Sequence, residues 1–175
     1  MKALFLDRDG VINRTYIDLT RKPKAPTKYH DFIFLPYVKQ YLSEIYKLNY
    51  TIIIITNQPD ITYGTLSKET LSRINAKIYN NLPVKEIFTC HHGRFDNCKC
   101  RKPQTMLFTN AIKKYHLSIK DSFTIGDRWS DIEASVSLGI KAIFIDRKYE
   151  EQKPIRQIYT TNSSKKALEY IIRNQ

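Results

Sequence analysis

The feature that most limits the fold is a run near the start, Ala3-Leu4-Phe5-Leu6, which ends directly on Asp7-Arg8-Asp9-Gly10. Four successive apolar residues predict a short strand buried on both faces, as in a parallel sheet. Past the strand end, residues i and i+2 still point the same way, so Asp7 and Asp9 are expected to face one cleft. Gly10 lets the chain turn there without a Cβ penalty. Two carboxylates so close repel, and a divalent cation or a shared proton would relieve them.

The pattern of strand followed by polar residues recurs. Val38, Tyr41, Leu42, Ile45 and Leu48 form a helical apolar stripe after Pro36, and Asn49 ends it. Residues 50–55 (Tyr-Thr-Ile-Ile-Ile-Ile) read as a central buried strand. It delivers Thr56-Asn57-Gln58 to its C-terminal end, where open α/β sheets bind ligands. Ser67, Glu69 and Thr70 mark the next helix start, continued by Leu71, Ile74, Ile78 and Tyr79. Further strands are expected at 84–89, 122–125 and 141–145, with an edge strand at 157–160. Helices are expected at 106–116 and 129–138, the latter capped by Asp127 or Ser130, and a last one runs to Ile172 behind Ser163 or Ser164. This alternation predicts one domain over 1–175, a three-layer α/β/α sandwich on a mostly parallel, Rossmann-like sheet.

Charge narrows the partners less. The net charge of +12 attracts anions, with nucleic acid and phosphorylated metabolites both candidates. Residues 14–34 carry Arg14, Arg21, Lys22, Lys24 and Lys28 and little periodicity. They read as a solvated loop or as a mobile basic flap over the Asp7/Asp9 cleft. No apolar run is long enough to span a bilayer, and a cytoplasmic monomer is the expectation.

All three cysteines, Cys90, Cys98 and Cys100, fall within eleven residues, beside His91 and His92. An odd, clustered set argues for metal over disulfides. Three thiolates and one imidazole suit tetrahedral Zn²⁺ with no position left open. Such a metal would order a loop at 90–103 that has too few apolar residues to fold itself, and would fix Arg101 and Lys102 beside the cleft.

Together these motifs resemble the haloacid dehalogenase superfamily of phosphatases. Asp7-x-Asp9-Gly10 is similar to its first motif, Thr56 to its second, Lys102 to its third, and Gly126-Asp127 with Asp131 to its fourth. The resemblance implies that Asp7 is the nucleophile and Asp9 the general acid/base, with Thr56 and Lys102 stabilising the phosphoryl group. It further implies that Asp7, Asp9 and Asp127 hold Mg²⁺ with Asp131 in support.

Thr56-Asn57-Gln58 and the loop Cys90-x-His92-x5-Cys98-x-Cys100-Arg101-Lys102-Pro103 resemble the zinc-loop branch acting on heptose bisphosphate and histidinol phosphate. That branch implies Zn²⁺ on Cys90, His92, Cys98 and Cys100, with His91 the alternative to His92. It also implies substrate contacts from Asn57, Gln58, Arg101 and Arg128, and no large cap domain. The chain departs from the branch at Pro59-Asp60, where a Ser-Gly pair is usual, and after Pro103, where it is one residue shorter. The implied substrate is a small phosphorylated metabolite, D-glycero-D-manno-heptose 1,7-bisphosphate first and histidinol phosphate second. A nucleic-acid 3′-phosphatase is the less favoured reading, since no stacked aromatic motif or groove-reading helix is evident.

Overall fold

The apolar runs become the strands of one sheet. The computed structural model describes residues 1–174. Strand β1 (Ala3–Leu6) leads through a two-residue hairpin pair, β2 (Tyr16–Ile17) and β3 (Pro23–Lys24), to helix α1 (Val38–Lys47). There follow β4 (Thr51–Asn57), α2 (Lys68–Asn81), β5 (Val84–Cys90) and α3 (Met106–Tyr115). The chain ends with β6 (Phe123–Gly126), α4 (Trp129–Val136), β7 (Lys141–Ile145), β8 (Tyr159–Thr161) and α5 (Ser164–Arg173). The six-stranded sheet has the order β5-β4-β1-β6-β7-β8, and every adjacent pair is parallel. Helices cover both faces, giving the α/β sandwich that the alternation predicts.

Side-chain alternation assigns the faces. Leu4, Leu6, Ile52 and Ile54 pack with Val38, Leu42 and Ile45 of α1, Ile74 and Ile78 of α2, and Leu168 and Ile171 of α5. Ala3, Phe5, Ile53 and Ile55 point the other way, against Leu107, Phe108 and Ala111 of α3. Strands β1 and β4 are therefore buried on both faces, and their polar ends emerge at one edge. Among the described residues, no helix is long and apolar enough to cross a membrane.

Two regions differ from the sequence reading. Residues 14–34 are not one irregular flap. The β2–β3 hairpin is closed by Asp18, whose carboxylate accepts from the backbone N–H groups of Thr20 and Lys22. Further on, Phe32 is fully buried in the core, and its carbonyl accepts a hydrogen bond from Lys77 Nζ. Helix α4 is capped neither by Asp127 nor by Ser130. Asp131, in its first turn, reaches back to accept the Arg128 N–H at 2.9 Å.

The double-sided core makes a direct prediction. Ile54→Ala, at a fully buried position, should lower unfolding stability in urea by about 2–5 kcal/mol, while the change at exposed Ile155 should cost less than about 0.5 kcal/mol.

Candidate active site

Asp7 lies one residue beyond β1 and extends its ladder by donating its N–H to Ile125 O at 3.0 Å. Because β1 is flanked by β4 and β6, the polar ends of three strands gather around this carboxylate. The turn that follows needs Gly10. Its φ is +86°, and a Cβ there would stand 1.9 Å from Asp127 Oδ2. The Gly10 carbonyl is held from behind by Arg147 Nη2 (2.6 Å) and Ser164 Oγ (3.2 Å), which ties the loop to the end of β7 and the start of α5.

Lys102 is the cation of the site. Its buried Nζ lies 2.6 Å from Asp7 Oδ1 and 2.8 Å from Asp131 Oδ1, and it donates to Ile55 O at 2.5 Å. Asn57 aims it by holding its backbone at both ends: Lys102 N donates to Asn57 Oδ1 (3.1 Å), and Asn57 Nδ2 donates to Lys102 O (3.2 Å). Burial alone would weaken the ammonium, but Asp131 and Asp7 outweigh it and hold Lys102 charged well above the usual lysine range.

Asp9 sits in a cradle of donors. Its Oδ1 accepts from Arg8 Nε (3.1 Å) and Asn13 Nδ2 (2.9 Å), its Oδ2 from Arg8 Nη2 (2.9 Å) and Gln58 Nε2 (2.7 Å). Gln58, expected to touch substrate, is fully buried behind the cleft and also donates to Thr56 Oγ1 at 2.9 Å. Thr56 is buried as well, so both stand behind Asp9 rather than in the cleft wall. Gly126 and Asp131 are matched by shape, since a Cβ on Gly126 would come 2.3 Å from Asp131 Cβ.

Asp127 accepts from Tyr149 OH at 2.7 Å through Oδ2, while its Oδ1 is buried without a partner. Oxygens of Asp7, Asp127 and Asp131 all lie within 4.8 Å of one another. Burial pushes the Asp7 carboxyl up to about 7, against the pull of Lys102 and with added push from Asp131 and Asp9. Burial, then Asp7 and Asp131, likewise raises Asp127 far above the carboxylate range. Three buried carboxylates against one ammonium, with one oxygen unpartnered, are a donor set suited to a hard divalent cation.

The cysteine loop also forms a cluster. His92 Nδ1 is 3.1 Å from Cys100 Sγ and 3.6 Å from Cys90 Sγ, and Cys90 Sγ is 3.1 Å from Cys100 and 3.7 Å from Cys98. Tetrahedral zinc with thiolate ligands asks for sulfurs about 3.7 Å apart, so the four donors fit with little adjustment. The imidazole in the cluster belongs to His92, whereas His91 lies outside it and lines a groove beside α2.

A cleft of about 790 Å³ opens over these groups. Asp7, Asp9, Asp127 and Asp131 line it with Lys102, Asn57, Arg101 and Arg128. Hairpin residues Lys22 and Lys24 and zinc-loop Arg94 line it too. Arg128 is committed to Glu151, which accepts from its Nε at 2.6 Å and its Nη2 at 2.5 Å. Tyr149, Glu151, Arg8, Asn13 and Arg147 carry no role in the sequence reading. Arg8 and Asn13 flank the first motif, but nothing near Tyr149 or Glu151 in sequence marks them as facing a site.

The model of the family described as Polynucleotide kinase 3 phosphatase matches residues 7–159, most of the chain and all four strand-end motifs. The chain belongs to this family, within the haloacid dehalogenase superfamily of phosphatases. This phosphatase is 36% identical over 157 residues to the D-glycero-alpha-D-manno-heptose-1,7-bisphosphate 7-phosphatase of Photorhabdus laumondii, covering 83% of this chain and 82% of the relative. It is 33% identical over 149 residues to the beta-anomer counterpart of Helicobacter pylori (strain J99), covering 80% of each. Its fold matches the crystal structure of D,D-heptose 1,7-bisphosphate phosphatase from B. bronchiseptica complexed with magnesium and phosphate. The TM-score is 0.86 with 23% identity, and both chains are covered in full.

The raised Asp7 carboxyl has a consequence for the phosphatase without magnesium. Asp7 titrates near 7 when folded and near 3.8 when unfolded, so the folded state holds the extra proton between these values. Its contribution to stability is complete below the lower value and is lost as pH rises through the upper one. Urea denaturation of wild type and Asp7→Asn at about pH 5 and about pH 8 should show the gap shifting in favour of the Asn variant at the higher pH.

Proposed function

We propose that this phosphatase removes the 7-phosphate of D-glycero-D-manno-heptose 1,7-bisphosphate by phosphoryl transfer to Asp7. The observation that carries the reading is Asp7 at a central strand end, 2.6 Å from a buried ammonium and grouped with an Asp127 whose Oδ1 is unpartnered. Asp7 attacks phosphorus in line, and Asp9 gives a proton to the departing sugar oxygen. Asp9 then takes a proton from the water that opens the aspartyl phosphate, freeing Asp7 and inorganic phosphate. The Arg8, Asn13 and Gln58 donors fix Asp9 in place for both steps. Lys102 stabilises the phosphoryl oxygens, with Asn57 holding its backbone in place, while Thr56 and Gln58 support Asp9 from behind.

Asp7, the Asp9 carbonyl oxygen and Asp127 would hold Mg²⁺, with Asp131 in support, and the ion would supply positive charge against the phosphoryl oxygens. Cys90, His92, Cys98 and Cys100 hold a structural Zn²⁺ that stiffens the loop carrying Arg101. Arg101, Arg94, Lys22 and Lys24 then offer cationic partners to the second phosphate at the cleft mouth.

Two experiments test the reading. Phosphate release is measured on both anomers of the heptose bisphosphate, on histidinol phosphate and on a 3′-phosphorylated oligonucleotide. Mg²⁺-dependent turnover of a heptose bisphosphate is expected, with Asp7→Asn folded and inactive. Inactivity on both anomers, or faster release from the oligonucleotide, overturns the substrate. Metal analysis of the purified protein should find about one zinc per chain, and Cys100→Ser should lose it together with several degrees of thermal stability.

A further inference from the structure

Residues 148–156, between the strand at 141–145 and the edge strand, are rich in Lys and Glu, yet three consecutive residues there hold three separate parts of the site. Tyr149 OH donates to Asp127, Glu150 N donates to Arg21 O of the β2–β3 hairpin, and Glu151 accepts from Nε and Nη2 of Arg128. The turn that sends this segment inward is built by Asp146, which accepts the Lys148 N–H at 2.9 Å while Lys148 adopts φ +59°. Tyr149 is thereby only 4% exposed although its neighbours in sequence are charged.

From these contacts we infer that Tyr149 is a positioning residue for Asp127, fixing one carboxylate oxygen so that the other is presented to the divalent cation. Two features support this. The hydroxyl is 2.7 Å from Asp127 Oδ2, and Oδ1 of the same carboxylate is buried with no partner. Gly10 leaves room for the pair, since a Cβ there would lie 1.9 Å from Asp127 Oδ2 and 3.3 Å from Tyr149 OH. The other contact of the hydroxyl is Thr15 Oγ1 at 3.1 Å, which ties the segment before the hairpin to Tyr149. A carboxylate held at one oxygen loses rotational freedom before the ion arrives, which is how partners one step removed raise metal affinity. The inference rests on the reading that Asp127 is a magnesium ligand.

The test is calorimetric titration of zinc-loaded protein with Mg²⁺ alone, on wild type, Tyr149→Phe and Thr15→Val. Tyr149→Phe should weaken Mg²⁺ binding roughly tenfold or more. Thr15→Val, which loosens the hairpin end of the contact and leaves the Tyr149–Asp127 bond, should bind as wild type does. Equal affinity in wild type and Tyr149→Phe overturns the inference, and so does equal weakening in both variants, because Tyr149 would then serve only to tie down the hairpin. Should Tyr149→Phe melt early without metal, the Mg²⁺-induced rise in melting temperature, taken against each protein's own metal-free value, carries the same comparison. A wild-type protein that takes up no Mg²⁺ instead removes Asp127 as a ligand, and the inference falls with it.

Discussion

The buried ammonium of Lys102 is the interaction on which the rest of the site depends. It touches Asp7 after β1, Asp131 in α4 and the carbonyl of Ile55 in β4, and so joins segments far apart in the chain. A charge this deep is costly unless it is paired and hydrogen-bonded. Here two carboxylates and a carbonyl satisfy it, and removing the ammonium would leave Asp7 and Asp131 buried without a counter-charge, typically a loss of about 3–5 kcal/mol. The cost of misplacing Lys102 is therefore shared by every element that meets it. Asn57 adds direction by holding the lysine backbone at both N–H and C=O.

Much of the fold was legible because β1 and β4 are buried on both faces and show as unbroken apolar runs. Their polar ends then mark one sheet edge, which is why Asp7, Asp9, Asn57, Lys102, Asp127 and Asp131 fall around one cleft. Side-chain alternation splits the end of β4 between two environments. Asn57 is presented to the cleft and to Lys102, while Thr56 and Gln58 turn inward and support Asp9. Arg128 looks free in sequence, but its partner Glu151 lies on the far side of β7. Tyr149 was hidden by composition, because a single aromatic residue among Lys and Glu gives no periodic signal of burial.

The two loops over the cleft differ in what orders them. Residues 90–103 enclose a cluster of three sulfurs and one imidazole, and few of their side chains are apolar, so cohesion there depends on the donor set. Residues 14–34 are instead anchored by packing. Phe32 is in the core and Asp18 closes the hairpin turn through backbone donors. Both line the cleft, the hairpin through Lys22 and Lys24 and the cysteine loop through Arg94 and Arg101.

Charge layout bears on which phosphate ester suits the cleft. Around Asp7 it is acidic, so a phosphate approaching there meets the ammonium of Lys102 and would need a cation among the carboxylates to offset their charge. Its lining also holds Lys22, Lys24, Arg94 and Arg101 together with Asp60, Glu150 and Glu151. A nucleic-acid track draws its affinity from successive phosphates along an unbroken basic stripe. Scattered cations beside an acidic centre favour a compact ligand with more than one phosphate, the arrangement a sugar bisphosphate provides. The net charge of +12 thus speaks less for a polymer than it does in isolation, because the cleft lining mixes acidic with basic groups.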